Sequence, residues 1–230
     1  MTGAAIGQEP LQAGSQLKTP RAAAVAGIIF SVLLIAALTL LRLSFPPSPG
    51  TAGVWLTDSA HRTALAVGLN LVPFAGIAFL WFIGVLRDRI GAREDRFFAT
   101  VFLGSGLLFV AMVFVAAAAA GGLVASASSS ALPGSGTLVM ERSIATSLLN
   151  VYSMRMAAVF TLTTVTIARR TAFVSRWITM AGLATAVVLL VGIGISQWVE
   201  LLFPAWVLAL SIDILVAGPG SGRRPITPGG

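Results

Sequence analysis

The chain has 230 residues, of which 57% are hydrophobic and 10% are charged, and its mean hydropathy is +0.93. Because about a quarter of the residues in soluble domains are charged, this composition excludes an ordinary soluble protein. The net charge of +7 comes from residues that flank apolar runs. They form no basic stripe interleaved with aromatic residues, so we expect no nucleic-acid partner. The chain has no Cys and one His, which excludes disulfides, thiol catalysis and a metal site built from Cys or His alone.

Six apolar runs predict an all-α fold, a polytopic transmembrane helical bundle. The first run, residues 22–45, would be about 36 Å long as a helix, which is enough to cross a hydrocarbon core of about 30 Å. The polar tails at residues 1–21 and 218–230 are predicted to be disordered. The predicted spans cover residues 22–45, 65–86, 97–120, 144–168, 177–197 and 201–217.

The last two predicted spans come from one apolar stretch that must turn. Residues 177–217 would be about 60 Å long as a single helix, which is twice the thickness of the hydrocarbon core. The turn is predicted near Trp198, Glu200 and Pro204, which supply an interfacial aromatic residue, a charge and a proline suited to the start of a helix.

Positive charge alternates between the predicted loops, which fixes the expected orientation. Six spans put both termini on one side, and eleven of the fifteen Lys and Arg residues fall on that side. These are Lys18, Arg21, Arg87, Arg89, Arg93, Arg96, Arg169, Arg170, Arg176, Arg223 and Arg224. Arg62 and Arg142 fall on the other side, and Arg42 and Arg155 lie within spans. The positive-inside rule therefore predicts cytoplasmic termini and a multi-pass protein of the plasma (inner) membrane.

Arg155 and Asp213 form the candidate intramembrane polar pair. Arg155 lies near the middle of the fourth predicted span, where an isolated charge costs at least about 2.5 to 3.5 kcal/mol. Asp213 lies in the sixth span, which runs in the same direction, so the two side chains are expected to meet at similar depth. We expect such a pair to be a structural clamp or a contact for another subunit. The alternative is a substrate or proton site.

Two further polar positions carry weaker signals. Arg42 is at the outer end of the first span, where its side chain is expected to reach the interface. Asn70 shares the second span with Pro73. Together they indicate either a kinked, polar-lined cavity or an Asn that bonds to a neighbouring helix beside a tolerated bend.

The sequence contains no motif that names a reaction. It has no phosphate-binding loop, no paired-histidine zinc motif and no nucleophile elbow. One Asp and one Arg inside spans do not make a catalytic set. We therefore predict no catalytic, cofactor or metal site, and we expect that the protein is not an enzyme.

Two stretches carry a resemblance to a known group of proteins. Residues 70–76 (NLVPFAG) and 87–106 (RDRIGAREDRFFATVFLGSG) resemble the conserved integral membrane proteins of mycobacteria and related actinobacteria. In size and hydropathy the chain resembles the accessory membrane subunits of the Mce lipid importers, a class of ABC systems. The resemblance implies a non-catalytic accessory subunit among membrane lipids, beside permease subunits, with transport and ATP hydrolysis supplied by other chains. The alternative is a stand-alone small-solute or proton-coupled transporter that uses Arg155 and Asp213.

Overall fold

The computed structural model describes residues 19–44, 59–90, 96–128, 135–171, 174–192, 196 and 198–216. Every regular element within these residues is helical. A π-helical turn (Leu148–Ser153) joins the fourth helix to the fifth, and a 3-10 turn (Val199–Leu201) leads into the last helix. The helices are α1 (Thr19–Ser44), α2 (Ser59–Ile90), α3 (Arg96–Ser128), α4 (Ser135–Ser147), α5 (Met154–Thr171), α6 (Arg176–Val191) and α7 (Leu202–Val216).

The helices have the length and composition of a multi-pass membrane protein, as predicted. Five described stretches are long and apolar enough to cross a bilayer: Arg21–Ser44, Ser59–Arg87, Phe97–Gly122, Met140–Arg170 and Val199–Val216. α6 is shorter, because its 16 residues rise only about 24 Å. The span predicted over residues 177–197 extends past this helix, and residues 193–195 and 197 lie outside the described part of the chain. The helix ends at Val191, where Gly192 follows as the capping residue and lowers the helix propensity.

Neighbouring helices run antiparallel, so the bundle has two distinct ends. Arg42 at the end of α1 contacts Glu200 just before α7, whereas Gly27 near the start of α1 lies beside Ser211 late in α7. Thr19 and Val216 consequently lie at the same end, which we call the terminal end. The opposite end, where α1 ends and α7 begins, we call the far end.

Seven buried phenylalanines among the described residues fill the interior of the bundle. Phe30, near the middle of α1, lies against Phe79 of α2 and Phe203 of α7, with ring centroids 4.4 and 6.0 Å apart. Such aromatic pairs contribute about 0.5 to 1.5 kcal/mol each beyond the area that they bury. These rings hold α1, α2, α3, α5 and α7 around one core. The seven residues are Phe30, Phe79, Phe82, Phe102, Phe109, Phe160 and Phe203.

Close packing of α1 against its neighbours depends on Gly27. A Cβ atom added at this position would lie 2.1 Å from Oγ of Ser211 and 2.9 Å from the ring of Phe82. Small residues let membrane helices approach in this way, and the closer approach increases dispersion contacts. The close approach packs α1 against α2 and α7. The far end of α1 carries Arg42, which makes the polar contacts described below.

Candidate functional site

Arg42 turns into the bundle, whereas the sequence predicted that it extends to the interface. Its Nε donates to Oε1 of Glu200 in a salt bridge, and its Nη2 donates to Oδ1 of Asn150 at 2.8 Å. Side-chain exposure is 18% for Arg42 and 3% for Glu200. We call Arg42, Asn150 and Glu200 the polar triad. Since an unpaired charge is costly in an apolar interior, each charge of the triad requires the other.

Asn150 reaches Arg42 from the π-helical turn. This turn interrupts a helix that otherwise continues from Ser135 to Thr171. A π turn inserts an extra residue into the helical frame, and such turns occur frequently at functional sites. The hydroxyl of Ser153, at the end of the turn, donates to the carbonyl oxygen of Leu149 and satisfies one backbone acceptor there. The turn thus brings an amide side chain to the far end of the bundle at the level of Glu200.

A cavity of about 590 Å³, including its open mouth, adjoins the polar triad. The α3 wall consists largely of small side chains from a run of alanines, which leaves the space open. The triad and Thr146 form its polar end, and its apolar walls include Leu34, Leu38, Val72, Val113, Ala116, Ala117, Ala120 and Leu149.

One carboxylate oxygen at the polar end lacks a hydrogen-bond partner among the described residues. Oε1 of Glu200 binds Arg42, but Oε2 is buried and unpaired within this part of the chain. Leaving a buried acceptor unsatisfied costs about 1 to 3 kcal/mol, and more for a charged group. A residue that lines the cavity therefore carries a buried acceptor with no partner in the described part of the chain.

Arg155 and Asp213 do not pair with each other. The Arg155 side chain is exposed on the outside of the bundle, whereas Oδ2 of Asp213 accepts the backbone N–H of Ser175 at 3.1 Å. The predicted pairing was wrong because the two residues lie at different heights. Asn150 and Glu200 share one level through Arg42, and α5 and α7 both run from there toward the terminal end. Arg155 follows Asn150 by about 7.5 Å and Asp213 follows Glu200 by about 20 Å, so they differ in height by about 12 Å.

Asn70 also acts locally. Its Nδ2 donates to the carbonyl oxygen of Ala66 in its own helix at 2.8 Å, and its side chain is exposed. Asn70 therefore does not form the predicted bond to a neighbouring helix, and it does not line the cavity. Pro73 lies within α2 and cannot donate to the carbonyl of Leu69, a residue that lines the cavity. The proline therefore removes one backbone hydrogen bond of α2 beside the cavity.

Sequence reasoning identified Arg42 and missed its partners. The sequence predicts Glu200 only as part of the turn before the last span. Asn150 lies within the fourth predicted span and is not predicted as a site residue. A usable signal was present: the first span ends, and the last begins, on the same predicted side of the membrane. A cation at one of these positions and an anion at the other indicate a pair.

Comparison of the chain with protein-family models, with curated proteins and with solved structures finds no match. Within the described residues, no group of three or more His, Cys, Asp or Glu residues could hold a metal ion. The cavity and the polar triad are therefore the features from which a function is inferred. The resemblance to the mycobacterial membrane proteins stays a prediction.

Proposed function

We propose that this protein is a non-catalytic membrane subunit that holds an amphipathic lipid in its bundle, as an accessory part of a larger lipid-handling complex. The observation that carries the proposal is the cavity, which has apolar walls and a polar triad at one end. An acyl chain matches such walls, and a headgroup matches the triad. A solute with polar groups along its whole length would leave them unpaired against leucine, valine and alanine.

Because the polar groups of the cavity lie at one end, we expect the site to select among lipids by their headgroups. Lipid tails are as apolar as leucine, so moving a tail from the bilayer into the cavity gains little hydrophobic free energy. A hydrogen bond to a charged group contributes about 1.5 to 3 kcal/mol, enough to favour one headgroup over another. The polar triad is accordingly the part of the site that distinguishes between lipids.

Charge supports an orientation with the terminal end in the cytoplasm. Arg21, Arg87, Arg169, Arg170 and Arg176 are near this end. The positive-inside rule favours such an end for the cytoplasm. The polar triad would then lie toward the outer side of the plasma membrane, where a lipid could pass to or from permease subunits.

A stand-alone transporter that uses Arg155 and Asp213 is the alternative function. The separation of these two residues and the bond from Ser175 to Asp213 do not favour it. An accessory role in an Mce-type importer remains compatible with the cavity, as does any other lipid-handling complex of similar design.

The proposal can be tested by isolating the protein from its native membrane in a mild detergent and measuring bound lipid by native mass spectrometry. We expect about one retained lipid per chain, together with co-isolated permease and ATPase chains. A lipid-free, homogeneous particle that takes up a small solute in liposomes would contradict the proposal and support the transporter.

A further inference from the structure

We infer that Glu200 selects lipids whose headgroup donates a hydrogen bond, an ammonium or a hydroxyl group, by presenting Oε2 at the polar end of the cavity. This inference rests on the proposed lipid binding and adds the chemical class of the headgroup.

The arrangement of the polar triad leaves one acceptor for a ligand. Arg42 uses Nε for Glu200 and Nη2 for Asn150, so its side chain is held from two sides. Arg42 in turn fixes Oε1 of Glu200. Glu200 is one of the residues that line the cavity, and Oε2 of its carboxylate is buried with no partner among the residues that the structure describes. The salt bridge therefore positions the carboxylate and leaves its second oxygen without a partner in this part of the chain.

The chemistry of this oxygen defines what it can bind. An ionised carboxylate only accepts hydrogen bonds, so the headgroup must supply an N–H or an O–H. A trimethylated ammonium carries a positive charge but has no N–H, and it cannot meet this requirement. Because Arg42 already balances the charge of Glu200, the site requires a donor more than it requires a net charge.

The most direct test is a methylation series of phosphatidylethanolamine in nanodiscs, with identical acyl chains. Phosphatidylethanolamine and its monomethyl and dimethyl forms each keep at least one N–H, whereas the trimethyl form, phosphatidylcholine, has none. All four are zwitterionic. Competition measured by native mass spectrometry should show similar retention of the first three lipids and a drop of about tenfold at the last methylation, equivalent to about 1.4 kcal/mol.

Phosphatidylglycerol with the same chains distinguishes the two sources of the donor. Its retention at the level of phosphatidylethanolamine would show that a hydroxyl group suffices, and retention at the level of phosphatidylcholine would show that the site requires an ammonium group. Both results support a donor-selective site, provided that the drop at the last methylation is present.

A pair of variants assigns the selection to Glu200. Glu200→Gln should abolish the drop while lipid is still retained, because the side-chain amide introduces its own donor. Asp213→Asn, on the helix that follows Glu200, is the matched control, since Asp213 binds Ser175 and does not line the cavity; it should keep the drop. If Glu200→Gln does not fold, equal retention of all four lipids by the unaltered protein would still overturn the inference.

The outcomes separate this inference from the proposed function. Equal retention of all four lipids by the unaltered protein would overturn donor selection and leave lipid binding intact. A drop that persists in a folded Glu200→Gln variant would place the selecting group elsewhere and also overturn the inference. Retention of none of the lipids would contradict the proposed function itself.

Discussion

Arg42 and Glu200 are 158 positions apart in the chain and form a salt bridge at the far end of the bundle. The contact joins α1 to the start of the last membrane-crossing stretch. Asn150 adds the π-helical turn to the same contact. Three segments that are remote in sequence are thus held together by residues that line the cavity.

This salt bridge should show strong energetic coupling. Arg42→Leu or Glu200→Leu alone leaves an uncompensated charge and should destabilise the protein by about 3 to 5 kcal/mol, the scale for breaking a buried pair. The double substitution should cost less than the sum of the two. In the unfolded state within the membrane, Arg42 and Glu200 can form other polar contacts, which reduces the measured destabilisation. The sign of the coupling energy is therefore more informative than its size. Unfolding in mixed micelles would measure it, and strictly additive losses would contradict the pairing.

Arg155 and Asp213 should behave independently in the same experiment. Their side chains lie at different heights, and Asp213 binds Ser175. The double-mutant cycle of Arg155→Leu and Asp213→Leu should therefore give a coupling energy within about 0.5 kcal/mol of zero. A coupling of the size expected for Arg42 and Glu200 would restore the sequence-based prediction that these two residues pair.

Gly27→Ala should destabilise the bundle by about 1 to 3 kcal/mol, the usual cost of overpacking. The added Cβ would lie 2.1 Å from Oγ of Ser211, whose hydroxyl also donates to Val207 in α7. Gly84→Ala is the matched control, because a Cβ at Gly84 meets no atom within 4 Å. It should be neutral or stabilising, since alanine has the higher helix propensity. Equal losses for the two variants in thermal unfolding would show that α1 does not pack in this way.

Labelling of introduced cysteines tests the orientation. The natural chain has no cysteine, so single-cysteine variants need no altered background. Ser59→Cys, at the far end, should react with an impermeant maleimide in intact cells, whereas Arg169→Cys, at the terminal end, should react only after permeabilisation. Both residues are exposed, so reactivity reports their side of the membrane. The reverse pattern would place the cavity toward the cytoplasm.

The membrane-crossing helices were largely predictable from the sequence. Bilayer thickness dictates the length of an apolar run, so the first and third spans were predicted within a few residues of Arg21–Ser44 and Phe97–Gly122. α2 begins earlier than predicted, at Ser59, because a helix can continue into polar residues beyond the apolar run.

The site was much less predictable. The polar triad depends on which helices are neighbours, and apolar runs carry little information about helix order. The residues of the π-helical turn around Asn150 do not differ in composition from the rest of the apolar run, so the sequence does not reveal the turn. Arg155 and Asp213 drew attention because they lie within apolar runs. Their distances from the starts of those runs, residues 144 and 201, indicate equal depth. Arg42, however, contacts both Asn150 and Glu200, so residue 150 and not residue 144 lies level with the start of the last run.

The central claim, that the cavity holds a lipid, is tested most directly by filling it. Ala117 lines the cavity, whereas the adjacent Ala118 is exposed on the outside of the same helix. Native mass spectrometry of the purified variants should show that Ala117→Phe lowers lipid retention by about tenfold, equivalent to about 1.4 kcal/mol, whereas Ala118→Phe retains lipid as the unaltered protein does. Equal retention by the unaltered protein and both folded variants would contradict the claim that this cavity is the lipid site.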